Sequence, residues 1–349
     1  MRKFSNNSVN KAGATLKETH PDSILKVNAA EDILTYWRFI HTPILNTFQS
    51  TLRTKLSGKY KKQGFIAQRL KRSSSIISKL RREPNMKLST MQDIAGIRAV
   101  MNNLKDVFTL SSELKKSRAK HKIINEFDYI NNPKKSGYRS IHLIFQYDNL
   151  KNQESNGLKI EVQVRTRLQH IWATTVETLG TFMETSLKSS EGPEKILEFL
   201  SLTSSAFALM EKTPLISEHL LLSNEEIYKN VIQEYSKLNI EDKLQGFTVA
   251  AKHIDNKFAN SKYHYYLIQL DLQKRMANIK QYKFSELDKA NEDYTKIERT
   301  ISLGEPLQVV LVSTDKISAL SKAYPNYFLD TKDFIKEIEK IKGKLEVKN

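Results

Sequence analysis

Three acidic residues of this chain stand at the margins of short apolar runs, where a sheet opens to solvent. Asp93 lies just before the β-like run 96–101, Asp128 falls near the end of the run 122–129, and Glu161 sits inside the run 159–164. A carboxylate at a strand end in a basic chain can hold Mg²⁺ for a nucleotide, because that ion takes oxygen ligands and completes its shell with phosphate and water. The plainer alternative is a surface carboxylate with no ligand. From Glu161 to Arg165 polar and apolar residues alternate, so Glu161, Gln163 and Arg165 share one strand face. Three such groups on one face need water or a ligand. Ser136-Gly137-Tyr138-Arg139-Ser140 leads into the run 140–147. There Tyr138 can stack on a base while Lys134, Lys135 and Arg139 meet its phosphates, or its ring can simply pack at the strand entry. His170 reads as a structural histidine and Trp172 as core.

Charge gives these residues a setting. The chain carries a net +17 and has a pI near 9.6, which calls for an anionic partner such as a nucleic acid, a nucleotide or an anionic lipid. Residues 51–90 hold twelve Lys or Arg against the single acid Glu83. This stretch is either a phosphate-binding face or a solvated basic one. With no cysteine there is no disulfide framework, thiolate zinc site, iron–sulfur cluster or cysteine nucleophile. No apolar run approaches the roughly 20 residues of a spanning helix, so no membrane partner is expected, and the polar residues 1–19 point to a cytoplasmic protein.

The elements that must position these groups are legible in the periodicity. Helical spacing over 30–56, with Pro43 in its middle, predicts a kinked or split helix. The four β-like runs follow, with a helix over 104–120 between the first two and another over 167–184 after the fourth. Further helices are expected over 196–210 and 223–254, the latter opened by a Ser223/Glu226 capping box. Beyond about residue 260 the pattern changes to strand 263–271, helix 284–298, strand 307–313 and helix 331–345. The expected fold is α/β: a mixed-sheet, nucleotidyltransferase-like domain flanked by helices over 1–256, then a small α+β module over 257–349.

Taken in order, Arg69-x-Lys71-x-x-x-Ser75-Ile76-x-x-Lys79, Asp93-Ile94-Ala95-Gly96-Ile97-Arg98, Asp128-Tyr129-Ile130-x-x-Pro133-Lys134-x-x-Gly137-Tyr138-Arg139-Ser140-Ile141-His142 and Glu161-Val162-Gln163-Val164-Arg165-Thr166 resemble the synthetase domain of the RelA/SpoT family. The resemblance implies a pyrophosphokinase in which ATP donates its β,γ-pyrophosphate to a ribose hydroxyl and AMP leaves. It implies that Arg69 and Arg98 sandwich the adenine and that Lys71, Ser75 and Lys79 hold the triphosphate. Asp93 would bind Mg²⁺, with Glu161 as a second metal ligand or as the base for the 3′-hydroxyl. Tyr138 would stack on the acceptor's base, in a subsite to which Lys134, Lys135, Arg139, Gln163 and Arg165 contribute.

No adjacent His-Asp pair marks a hydrolase domain, so the chain resembles a small, synthetase-only member. Two groups of these exist: makers of guanosine tetra- or pentaphosphate, and toxins that pyrophosphorylate the 3′ end of tRNA. The C-terminal module, with its single His264 and the segment Tyr324-Pro325-Asn326-Tyr327, resembles the zinc-free antitoxin-like domain of fused, CapRel-type phage-defence proteins. This second resemblance implies a tRNA pyrophosphokinase that inhibits translation. Tyr324 and Tyr327 would keep it closed until a phage protein, such as a capsid protein, binds the module, or their rings simply pack beside the Pro325-Asn326 turn. The alternative is an alarmone synthetase acting on GDP or GTP.

Overall fold

The computed structural model describes residues 3–18, 24–58, 60, 64–117, 120–182, 194–238, 240–241, 244, 265–271, 276–300, 307–313 and 332–346. It divides into two compact units. The first comprises Met1–Ala99, Phe108–Phe127 and His142–Val164; the second comprises Val100–Val107, Asp128–Ile141 and Arg165–Asn349.

The first unit opens with helices α1 (Asn6–Lys17), α2 (Ile24–Phe39) and α3 (Thr42–Gly58). Pro43 falls in the first turn of α3, where a missing N–H costs nothing, and the chain breaks between α2 and α3 as the proline predicts. A central five-stranded sheet follows, built from β1 (Gly64–Leu70), β2 (Ala95–Met101), β3 (Lys122–Asp128), β4 (Ile141–Gln146) and β5 (Lys159–Thr166) in the order β1-β2-β5-β4-β3. It is a mixed sheet flanked by helices, as the sequence predicts. Strand β1 is an addition: its basic flanks hide a run too short to announce itself. Helix α4 (Ser73–Arg82) leaves β1, and α5 (Leu104–Lys115) connects β2 to β3.

Strand β5 shows how the sheet presents polar groups. Ile160, Val162 and Val164 are fully buried, while Glu161 and Gln163 between them are partly exposed on the opposite face. Strand β2 repeats the pattern, with Ile97 and Ala99 buried and Arg98 half-exposed. The apolar alternation thus fixes which side chains stay accessible.

In the second unit α6 (Arg167–Phe182), α7 (Glu194–Glu211), α8 (Asn224–Lys237) and the last helix, α10 (Lys332–Glu346), share one apolar core. The capping box of α8 is present, with Ser223 and Glu226 each satisfying the other's backbone N–H. Helix α8 ends at Lys237. Phe334, Ile338 and Ile341 of α10 are buried in that core, Phe334 edge-on to Phe199 and Phe207. A three-stranded antiparallel sheet of β6 (Tyr265–Asp271), β7 (Met276–Tyr282) and β8 (Leu307–Ser313), in the order β7-β6-β8, packs with α9 (Leu287–Thr300) around Leu267, Tyr282, Tyr294 and Val309. Among the described residues no helix is long and apolar enough to cross a membrane.

Candidate active site

In the first unit the sheet order brings β1, β2 and β5 side by side, and with them most of the residues singled out by their chemistry. Asp93, just before β2, takes an ammonium on each oxygen: Lys71 Nζ at 2.8 Å on Oδ2 and Lys79 Nζ at 3.0 Å on Oδ1. Burial by itself would push this carboxyl up, but the two ammonium groups outweigh it and hold Asp93 well below the usual carboxylate range. Lys71 is pulled below its ordinary value by burial, and the neighbouring Arg69 and Lys79 charges act in the same direction against the attraction of Asp93. Two ammonium groups thus share one carboxylate, with the charge of Arg69 felt at Lys71, and a polyanion would relieve them.

Local structure explains the crowding. The N–H of Lys71 closes the β1–β2 ladder on the Ile94 carbonyl at 2.8 Å, which sets Lys71 beside Asp93. The next turn opens α4, whose first residues are Ser73, Ser74 and Ser75, with no acid among them. The N-terminus of this helix, its hydroxyls and Lys79 one turn past Ser75 make an anion-binding edge. Arg38 braces it from below. Its guanidinium, 4% exposed, donates to the Lys71 carbonyl at 2.9 Å and to Ser73 Oγ at 2.8 Å.

On β5 a chain of polar contacts runs through Glu161. Arg98 Nε–H donates to Gln163 Oε1 at 3.2 Å, and Gln163 Nε2–H donates to Glu161 Oε2 at 2.6 Å. His142, on the adjacent β4, places Nδ1 2.8 Å from Glu161 Oε1. Burial raises the Glu161 carboxyl and the charge of Asp93 adds to that, yet His142 and Gln163 carry it net below its ordinary value. His142 closes the 128–142 motif, where the sequence gives it no partner; strand adjacency brings it to Glu161.

These two carboxylates feel each other's charge, which a divalent cation between them would relieve. Mg²⁺ is held by one or two carboxylates together with substrate phosphates and water. Asp93 and Glu161 fit that requirement. Among the described residues no group of three or more His, Asp or Glu side chains gathers to cage an ion, so a metal there would complete its shell with ligand oxygens.

The second unit contains the Tyr138 loop. The Gly137 N–H returns to the Lys134 carbonyl at 2.8 Å, and the Lys134 N–H to the Tyr138 carbonyl at 3.3 Å, so 134–138 is a tight turn. The half-buried Tyr138 ring meets Tyr129 at a centroid distance of 6.1 Å and an interplanar angle of 67°. Lys134 Nζ lies 4.5 Å from the Tyr129 ring centre and 5.7 Å from that of Tyr138. Lys135 is exposed, 4.0 Å from Glu218.

Arg139 and Arg165 are placed differently from the other basic residues singled out. Arg139 is 3% exposed and donates to Ser204 Oγ, the Ile130 carbonyl and the Pro214 carbonyl. Burial draws its pKa down to about 10 against the pull of Glu211. Arg165, 1% exposed, donates through Nη2 to His170 Nδ1 at 2.5 Å, which leaves the proton of that ring on Nε2. Asp128, the third strand-end acid, accepts from the Ile130 and Asn131 N–H groups, each at 3.0 Å, and caps a turn. Tyr324, Tyr327 and His264 lie outside the described residues.

Residues 68–180 match the family described as "Region found in RelA / SpoT proteins". The chain carries a RelA/SpoT-family domain. This domain holds every site residue named above from Arg69 to His170. The chain is 35% identical over 118 residues to the GTP pyrophosphokinase YjbM of Bacillus subtilis (strain 168), covering 33% of this chain and 56% of that protein. It is 35% identical over 112 residues to the GTP pyrophosphokinase YwaC of the same organism, covering 30% of this chain and 52% of that protein. The chain therefore spans about half the length of these curated relatives. A crystal structure of small alarmone synthetase 1 from Bacillus subtilis is similar at 26% identity and a TM-score of 0.44, covering 52% of this chain and 93% of that one.

These relatives overturn the expected acceptor. The second resemblance points to tRNA as acceptor, yet the curated proteins that match the chain at 35% identity are named as GTP pyrophosphokinases. The basic stretch 51–90 gives no counterweight, because its Lys71 and Lys79 lie on Asp93 at a site that suits a triphosphate as well as an RNA backbone. The translation-toxin and anti-phage roles expected with a tRNA acceptor fall with it.

Proposed function

We propose that this protein is a pyrophosphokinase that transfers the β,γ-pyrophosphate of ATP to the 3′-hydroxyl of GDP or GTP, giving guanosine tetra- or pentaphosphate and AMP. The observation that carries this reading is the cluster of Asp93 and Glu161 with Lys71, Lys79 and the β1 and β2 arginines, within the segment related to GTP pyrophosphokinases.

The chemistry asks mainly for positioning and neutralisation of charge. Arg69 and Arg98 flank the adenine; Lys71, Lys79 and Ser75 hold the triphosphate. When ATP binds, its phosphates replace Asp93 as the partners of the two lysines, which frees a carboxylate oxygen for a metal. Asp93 and Glu161 would hold Mg²⁺, which would supply neutralisation of the phosphate oxygens. The acceptor's base stacks on Tyr138, with Lys134 beside it. The 3′-oxygen attacks the β-phosphorus, the bond from that phosphorus to the α,β-bridging oxygen breaks, and AMP departs with the electron pair. The hydroxyl proton passes to Glu161 and from there to solvent water. Because His142 and Gln163 hold Glu161 below its ordinary value, it serves better as a charged ligand than as the final resting place of the proton.

The test is direct. Purified full-length protein is incubated with γ-labelled ATP, Mg²⁺ and either GDP, GTP or bulk tRNA. Label should enter guanosine nucleotide in step with AMP release; absence of transfer to GDP and GTP sinks the proposal.

A further inference from the structure

The loop that carries Tyr138 is fixed by a residue outside every motif of the sequence. In α7 the run Leu202-Thr203-Ser204-Ser205-Ala206 is buried throughout, and Ser204 is 2% exposed. Its hydroxyl donates to the Gly137 carbonyl at 2.5 Å and accepts from Arg139 Nε–H at 3.1 Å. One oxygen therefore ties the residue before Tyr138 to the residue after it. Arg139 is anchored in turn, donating through Nη1 to the Pro214 carbonyl at 2.7 Å. Donor and acceptor in series polarise each other, and burial makes either bond costly to lose.

Steric fit reinforces the tie. Gly137 has φ +90°, which an L side chain rarely adopts. A Cβ at that position would lie 2.6 Å from Ser204 Cβ and 3.1 Å from Trp172 Cζ2. The loop backbone thus rests directly on Ser204 of α7, with the Trp172 ring of α6 beside it.

We infer that Ser204 is a positioning residue for the acceptor nucleotide: by clamping the Gly137 carbonyl and the Arg139 side chain it sets the attitude of the Tyr138 ring against the purine. This rests on the reading of Tyr138 as the residue that stacks on the acceptor's base. The bonds of the Ser204 hydroxyl go to the two neighbours of Tyr138, so its loss should be felt on the acceptor. A ring that is no longer held spends part of its time misaligned, which weakens stacking and delivery of the 3′-hydroxyl.

The experiment compares Ser204→Ala, Ser204→Cys, Tyr138→Ala and Ser204→Ala/Tyr138→Ala as full-length proteins, with KM measured separately for GDP, GTP and ATP. Ser204→Ala should raise the acceptor KM about 5- to 10-fold, the size expected for one buried hydrogen bond. The ATP KM should stay within about twofold. Ser204→Cys keeps a side chain in place with a weaker donor and should fall between; if the alanine variant does not fold, it carries the comparison alone. Once Tyr138 is gone, removing Ser204 should add nothing further to the acceptor KM. The inference is overturned if Ser204→Ala leaves the acceptor KM unchanged, raises both KM values alike, or multiplies fully with Tyr138→Ala. If Tyr138→Ala itself leaves the acceptor KM unchanged, the stacking reading fails and the inference falls with it, an outcome distinct from an effective Tyr138→Ala beside a silent Ser204→Ala.

Discussion

The carboxylate before β2 and the carboxylate that ends β3 occupy similar places in their strands, yet their partners differ in kind. Asp93 is held by two side-chain ammonium groups, Lys71 and Lys79, which a phosphate can draw away. Asp128 is held by backbone N–H groups of its own turn and by the Asn131 side chain, partners that no ligand can recruit without unfolding the turn. The first arrangement stores an exchangeable charge; the second spends its charge on a turn. What neutralises a carboxylate therefore says more about its use than where it sits.

Several substitutions sharpen or break that contrast. The largest effect should come from Asp93→Asn, which removes the exchangeable charge and one metal ligand. The rate of AMP release with GDP or GTP should fall about 10²- to 10³-fold or more. Asp128→Ala should leave most of that rate, and a fall as deep as that of Asp93→Asn would abolish the distinction.

A smaller but more diagnostic change is expected from His142→Ala. His142 is the chief group lowering Glu161, against burial and Asp93, both of which raise it. With the imidazole gone, the acidic limb of the kcat/KM profile should move to higher pH; an unmoved limb would remove Glu161 from the titrating machinery. Asp128→Ala should act on stability instead, by about 1 kcal/mol for the lost turn hydrogen bonds, read as a lower midpoint in urea.

Acid sensitivity gives the finest comparison. Because Asp93 titrates lower in the folded protein than its unfolded value of 3.8, its contribution to stability is fully present above that pH and is lost as acid carries the carboxylate toward its depressed value. Thermal melts between pH 3 and 7 should therefore steepen below about pH 4 in the wild type. Asp93→Asn should flatten that acid limb, and an equal slope in both proteins would contradict the assignment.

Much of this architecture is readable from residues alone. Pro43 marks the break between α2 and α3, Ser223 and Glu226 mark the start of α8, and the alternation from Lys159 to Thr166 puts Glu161 and Gln163 on one face. Strand β1 is less legible because its seven residues end in the basic groups that dominate the local composition. Strand β7 gains its identity only from pairing along the whole of β6. Arg139 shows the limit of a motif: beside Tyr138 it looks like a phosphate ligand, while the fold turns it inward onto carbonyls from Ile130 and Pro214.

The sequence by itself determined the identity and order of the chemically capable groups, because motif spacing and apolar periodicity are properties of the chain. It also determined the strong positive charge of 51–90, since charge is a sum over residues. Which anion was beyond it: lysines spaced for a triphosphate serve an RNA backbone equally well. Only the tertiary structure decided which acids carry exchangeable charge, which arginines are buried, that β4 delivers His142 to Glu161, and that a serine in α7 reaches the Tyr138 loop. Those outcomes depend on strand order and helix packing, contacts between residues far apart in the chain whose partners no local pattern encodes.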